Sequence, residues 1–131
     1  GEPLPWRQDD IVQRGAAIEC RIYAEDPAKN FMPSPGRITR LVLPDGPGIR
    51  VECGIAEGCH VSVHYDPLLA KVVATGAARD DALARMEAAL GAFVVEGVQT
   101  TIPFHLRVMR SAAFREGRTH TQMVEQGAFN G

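Results

Sequence analysis

Between Ile18 and Pro27 the chain reads Ile-Glu-Cys-Arg-Ile-Tyr-Ala-Glu-Asp-Pro. Ile18, Cys20, Ile22 and Ala24 alternate with Glu19, Arg21, Tyr23 and Glu25, the period of a strand with one buried and one polar face. Arg21 sits at the centre of the polar face. A planar, permanently charged guanidinium flanked by Glu19 and Tyr23 suits a carboxylate, a carbonate or a polarised carbonyl oxygen. On these ten residues alone, an arginine in ordinary surface ion pairs is the simpler reading.

A second group, Cys53, Cys59, His60 and His64, offers soft ligands within twelve residues. Its spacing argues against zinc: there is no Cys-x2-4-Cys pair, and adjacent Cys59 and His60 on a strand point to opposite faces. No metal site is assigned. Cys-His nucleophilic catalysis lacks an orienting third group and an oxyanion loop. A phosphate loop of either common kind is absent, and Gly46-Pro47-Gly48 is a turn, because proline removes an amide such a cradle needs. Asp66, between Tyr65 and Pro67 and just before a very apolar segment, needs a partner there. Arg21 is a candidate.

At 131 residues the chain is about one domain, too small to hold a cleft between two. Its formal charge of −2 leaves no electrostatic footprint for nucleic acid or an acidic membrane, and no apolar run approaches the ~20 residues that span a bilayer. Neither partner is expected. Three cysteines without paired spacing point to a reducing compartment, the cytoplasm or, in a eukaryote, the mitochondrial matrix.

The elements that must carry these side chains follow from pattern. Gly1-Glu2-Pro3-Leu4-Pro5 reads as a linker, and Gln8 to Val12 as one helical turn. Beyond the strand holding Arg21, residues 26–36 form an irregular loop whose Phe31 and Met32 seek burial. Further strands are expected at Arg37 to Leu43, Ile49 to Cys53, Cys59 to Val63 and Val94 to Val95. Leu68 to Thr75 reads as a central strand buried on both faces.

Arg79 to Phe93 is the clearest helix, with Leu83, Met86, Leu90 and Phe93 at spacings of three and four. A second is capped by Thr100 or Thr101, has Pro103 in its first turn and runs to about Met109; Ser111 to Arg115 is a turn, and a last short helix covers Gln122 to Gln126. Strands first and helices concentrated in the C-terminal half predict an α+β fold, a mainly antiparallel sheet with helices packed on one face.

Five segments taken together resemble one family. They are Arg14-Gly15-x-Ala17-Ile18-Glu19-Cys20-Arg21-Ile22-x-Ala24-Glu25-Asp26-Pro27, Phe31-x-Pro33-Ser34-Pro35-Gly36-x-Ile38, Gly48-x-Arg50, Tyr65-Asp66-Pro67-x-Leu69-Ala70-Lys71 and Gly97-Val98-x-Thr100-Thr101-Ile102-Pro103-Phe104. In order and spacing they are similar to the C-terminal domain of biotin carboxylase. The resemblance implies residues 1–14 as a linker from an upstream ATP-grasp portion and 15–131 as the domain itself. It implies a ligase fragment, inactive alone, from an enzyme that uses ATP, Mg and bicarbonate to carboxylate biotin on a carrier domain, the first half-reaction of an acyl-CoA carboxylase such as acetyl-CoA carboxylase of fatty acid metabolism. A carboxyltransferase component would complete the reaction.

By the same resemblance Arg21 binds at the biotin and bicarbonate site, where it contacts the ureido oxygen. Asp66 is expected to orient it, Thr121 to approach the nucleotide, and Pro47 and Arg50 to serve a homodimer interface. The alternative is a non-catalytic structural and dimerisation module of the same enzyme.

Overall fold

The computed structural model describes residues 1–129. Residues 1–15 are exposed throughout, with one 3-10 turn at Gln8–Asp10 in place of the expected helical turn. Strand β1 (Ala16–Tyr23) follows. Its alternation survives intact: Ile18, Cys20 and Ile22 are buried, while Ala17, Glu19 and Arg21 are exposed.

After β1 come the two-residue strands β2 (Glu25–Asp26) and β3 (Met32–Pro33), paired antiparallel across the loop. Phe31 packs edge-on against Phe104 at 5.1 Å between ring centroids, but Met32 is exposed, against expectation. Phe31 takes a left-handed backbone conformation, φ 59°, in the turn before β3, and Met32 opens that exposed strand.

The strand expected over Arg37 to Leu43 is two pieces, β4 (Gly36–Arg37) and β5 (Arg40–Val42). Backbone pairing explains the break. The amide of Ile38 donates to Cys59 O at 2.9 Å and that of Thr39 to Glu96 O at 2.9 Å, so the chain changes partner between them, with Ile38 wholly buried at the switch. Strand β6 (Ile49–Cys53) matches its expected bounds, and β7 is shorter than foreseen (His60–Val61). Strand β8 (Leu68–Gly76) lies at the centre of a three-stranded antiparallel sheet of order β1-β8-β6, Arg21 opposite Lys71 and Lys71 opposite Glu52.

β8 corrects one expectation. Ala70, Val72 and Ala74 are buried, but Lys71 and Val73 on the other face are only half-buried and Thr75 is exposed. The helices cover one face alone, so an apolar run that looked doubly buried has a single core face.

Helix α1 (Arg79–Ala92) supplies most of the cover, burying Ala82, Leu83, Met86, Ala89 and Leu90 against Ile18, Ile22, Val72 and Ala74. Its start is set by Asp81, which accepts the amide of Ala78 at 3.0 Å near the positive end of the helix dipole. Strand β9 (Val94–Glu96) pairs with β5. Helix α2 (Ile102–Arg110) and the short α3 (Ala112–Arg115) complete the layer; Ser111 accepts the Phe114 amide at 3.3 Å, so the turn expected over Ser111 to Arg115 is a single helical one.

Gln122 to Gln126 is a run of turns rather than a helix, fastened by Met123 and Phe129, which enter the core. The architecture is α+β, with a mainly antiparallel arrangement of strands and helices on one side. No helix among the described residues is long and apolar enough to cross a membrane.

Candidate functional site

β1 is an edge strand of the three-stranded sheet, and its pleat points Arg21 away from the helices. The same uncovered face carries Glu19, Lys71, Val73, Arg50 and Glu52. Arg21 enters no ion pair among the described residues; its guanidinium carbon stands 5.4 Å from the Tyr23 ring centroid, a cation–π contact along the strand. Directly opposite is Lys71, so two cations face each other across neighbouring strands. Like charges so placed repel. Glu19 and Glu52 share the face, so Arg21 and Lys71 are two cations set in a mixed-charge, open surface.

The backbone beneath is held firmly. The carbonyl oxygen of Arg21 accepts from His105 Nε2 at 2.9 Å and from Thr101 Oγ1 at 3.3 Å. For His105 this fixes the tautomer, with the proton on Nε2. Burial pushes the His105 pKa down, the bond to the Arg21 carbonyl opposing in part. Cys20, facing inward beside Arg21, is pushed up to about 12 by burial and, secondarily, by the Glu19 charge. Its thiol is therefore protonated and packs as a small apolar group.

Asp66 is not brought into an ion pair with Arg21. It is exposed, and its Oδ1 accepts the Leu68 amide two residues on, at 2.9 Å, closing the turn into β8. Its charge is felt instead by Glu25, whose pKa is raised by desolvation first and by Asp66 second. Asp66 thus needs no buried partner, because the apolar strand begins only after it.

Pro47 and Arg50 sit exposed on and beside β6, the opposite edge of the sheet from Arg21, with Arg50 paired to Glu52. Thr121 lies exposed in the C-terminal turns. Near those turns Glu19, Cys20, His105, Met109, His120 and Met123 line a small groove of about 220 Å³. Cys53 is half-buried, while Cys59, His60 and His64 are exposed; no cluster of three or more His, Cys, Asp or Glu side chains suited to a metal ion forms among the described residues.

Two residues at the spot escape sequence reasoning. Lys71 reads as part of an apolar run and as the end of one family-like segment, with no site role, although a lysine breaking such a run is itself a sign that one face is wet. His105 has no sequence signal, since its contact to Arg21 spans 84 positions.

Arg21, outside any ion pair among the described residues, stands on an open sheet face backed by a single helical layer. The family model for the biotin carboxylase C-terminal domain matches residues 19–126, and the chain belongs to that family. It is 46% identical over 125 residues to biotin carboxylase 1 of Bacillus subtilis, covering 95% of this chain and 28% of that one. It is 46% identical over 126 residues to the biotin carboxylase of Pseudomonas aeruginosa, covering 96% and 28%.

Among solved structures, the biotin carboxylase domain of a thermophilic 2-oxoglutarate carboxylase bound to bicarbonate superposes with a TM-score of 0.94 at 41% identity, covering 98% of this chain and 29% of that one. The biotin carboxylase subunit of a pyruvate carboxylase gives 0.93 at 44%, covering 98% and 28%. The chain thus spans between a quarter and a third of the length of these relatives.

Proposed function

We propose that this chain is the C-terminal part of a biotin carboxylase and that Arg21 is its contribution to the carboxylation site. The observation that carries the reading is the unpaired Arg21 guanidinium on the open face, opposite Lys71 and fixed at its own carbonyl. Such a group fits an oxygen ligand that gains negative charge. Biotin on its carrier, when bound, supplies a ureido nitrogen to be carboxylated and a ureido oxygen on which charge collects as that nitrogen loses its proton. Arg21 donates hydrogen bonds to the oxygen and stabilises charge that develops only along the reaction. Its guanidinium cannot lose its own proton there, as a desolvated lysine could.

ATP and Mg belong with the upstream ATP-grasp portion, to which residues 1–14 lead. Thr121, on an exposed turn, would meet the nucleotide from this side. A related biotin carboxylase domain has been solved as a dimer with MgADP and bicarbonate; Pro47 and Arg50, exposed at the β6 edge, would serve a homodimer here. The carrier and carboxyltransferase are the remaining partners, the holoenzyme an acyl-CoA carboxylase of cytoplasmic fatty acid metabolism.

The test uses the full-length polypeptide with biotin, ATP and bicarbonate. Arg21→Ala is expected to lower kcat for bicarbonate-dependent ATP cleavage by ~10²–10³ without moving Tm, since the side chain is exposed. Arg21→Lys should restore only a minor part. Wild-type rates in Arg21→Ala would leave the structural and dimerisation module as the function of this domain.

A further inference from the structure

The outer edge of β1 is not free. Four hydrogen bonds from the start of α2 land on Arg21 and Tyr23: Thr101 Oγ1 and His105 Nε2 donate to the Arg21 carbonyl at 3.3 and 2.9 Å, the Tyr23 amide donates to Thr101 Oγ1 at 3.0 Å, and the Thr101 amide donates to the Tyr23 carbonyl at 3.1 Å. A threonine at the N-cap position ordinarily spends its oxygen on its own helix. Thr101 does not; its hydroxyl goes to Arg21 and Tyr23, the amide of Ile102 goes to Thr100 Oγ1 at 3.4 Å, and only the backbone carbonyl of the 3%-exposed Thr101 stays with the helix, accepting the His105 amide at 3.0 Å.

The place is telling. The β1–β8 register shifts between Ile22 and Tyr23, an irregularity that would let the strand re-aim its side chains. The clamp grips the residues on either side of that shift.

We propose that Thr101 and His105 are positioning residues for Arg21, holding its carbonyl, and hence the direction of its Cα–Cβ bond, so that the guanidinium is aimed before any ligand arrives. The inference rests on the reading of Arg21 as the site's cation. A site held to within a fraction of an ångström by its supporting shell reacts faster than a looser one, and a misplacement of about 1 Å costs up to ~10² in rate. If the four bonds did no more than fasten α2 to the sheet, their loss would be indifferent to what side chain stands at position 21.

The test is a cycle in the full-length polypeptide, measuring kcat for biotin- and bicarbonate-dependent ATP cleavage together with Tm. His105→Leu and Thr101→Val, which remove the donors, should each lower kcat about tenfold. His105→Gln and Thr101→Ser, which keep a donor, should stay within about twofold of wild type. In an Arg21→Ala background, His105→Leu should change the residual rate by less than about twofold, because no guanidinium is left to aim.

Equal rates for His105→Leu and His105→Gln, or an undiminished tenfold loss in the Arg21→Ala background, would overturn the proposal. A wild-type rate in Arg21→Ala alone would instead overturn the role of Arg21 on which it stands. Should Thr101→Val fail to fold, the His105 arms decide, since that residue is only partly buried and borders a small groove.

Discussion

Arg21 and His105 are two ends of one device, the first turned to solvent and the second turned inward to hold it. Burial makes the His105 pKa lower in the folded chain than in the unfolded one. Below the ordinary histidine value the unfolded state therefore binds the proton first, and stability falls as pH falls through that range. Wild-type unfolding free energy should drop between about pH 7.5 and 5.5 more steeply than that of His105→Gln, measured by urea denaturation at each pH. Parallel slopes would show that the imidazole is not buried neutral. Glu25 has the opposite sign, its raised pKa making the ionised form a burden as pH rises through the carboxylate range.

At the level of elements, the decisive junction is where β4 gives way to β5 and the chain changes partner from β7 to β9. Gly97 makes this possible. It adopts φ +102°, and a Cβ there would collide with the carbonyl of Arg37. Both the backbone conformation and the contact exclude a side chain. Gly97→Ala is expected to cost about 1–3 kcal/mol of unfolding free energy, with strands β4 and β5 losing amide-exchange protection first. A change of a few tenths would mean that the turn relaxes at no cost. Gly97 also begins one of the five recognisable segments, so there family pattern and backbone requirement coincide.

Taken whole, the described residues form one helical layer on a three-stranded sheet flanked by three two-stranded pairs, with a core between helices and sheet. Leu83, Met86 and Leu90 of α1 are essentially inaccessible and meet Ile22, Val72 and Ala74 of the sheet. Leu83→Ala should destabilise by about 2–5 kcal/mol, the range for emptying a fully buried leucine site, as read by thermal or chemical unfolding. A truncation on the uncovered face, Val73→Ala, should cost less, because that side chain is smaller and only half-buried. Equal losses would mean that the outer face is packed against something in the folded state.

Much of this was legible in residues alone. The alternation of β1, the three-four spacing of α1, the bounds of β6 and the proline in the first turn of α2 are local patterns, written in hydrophobicity and turn chemistry within a few positions of each other, and sequence determines such features directly. The five ordered segments likewise carry the family's signature in sequence alone. Sequence could not decide what depends on distant partners: the split of the strand at Ile38, the wet face of β8, the turns that replace a last helix, and the separation of Asp66 from Arg21. Nor could it disclose the clamp. A hydrogen bond from His105 to the carbonyl of Arg21 has no periodicity and no motif, because it exists only once 84 residues of chain have folded back on themselves. Sequence determined that Arg21 stands on the polar face of a strand; tertiary structure decided that its backbone is held, its side chain free and a second cation set against it.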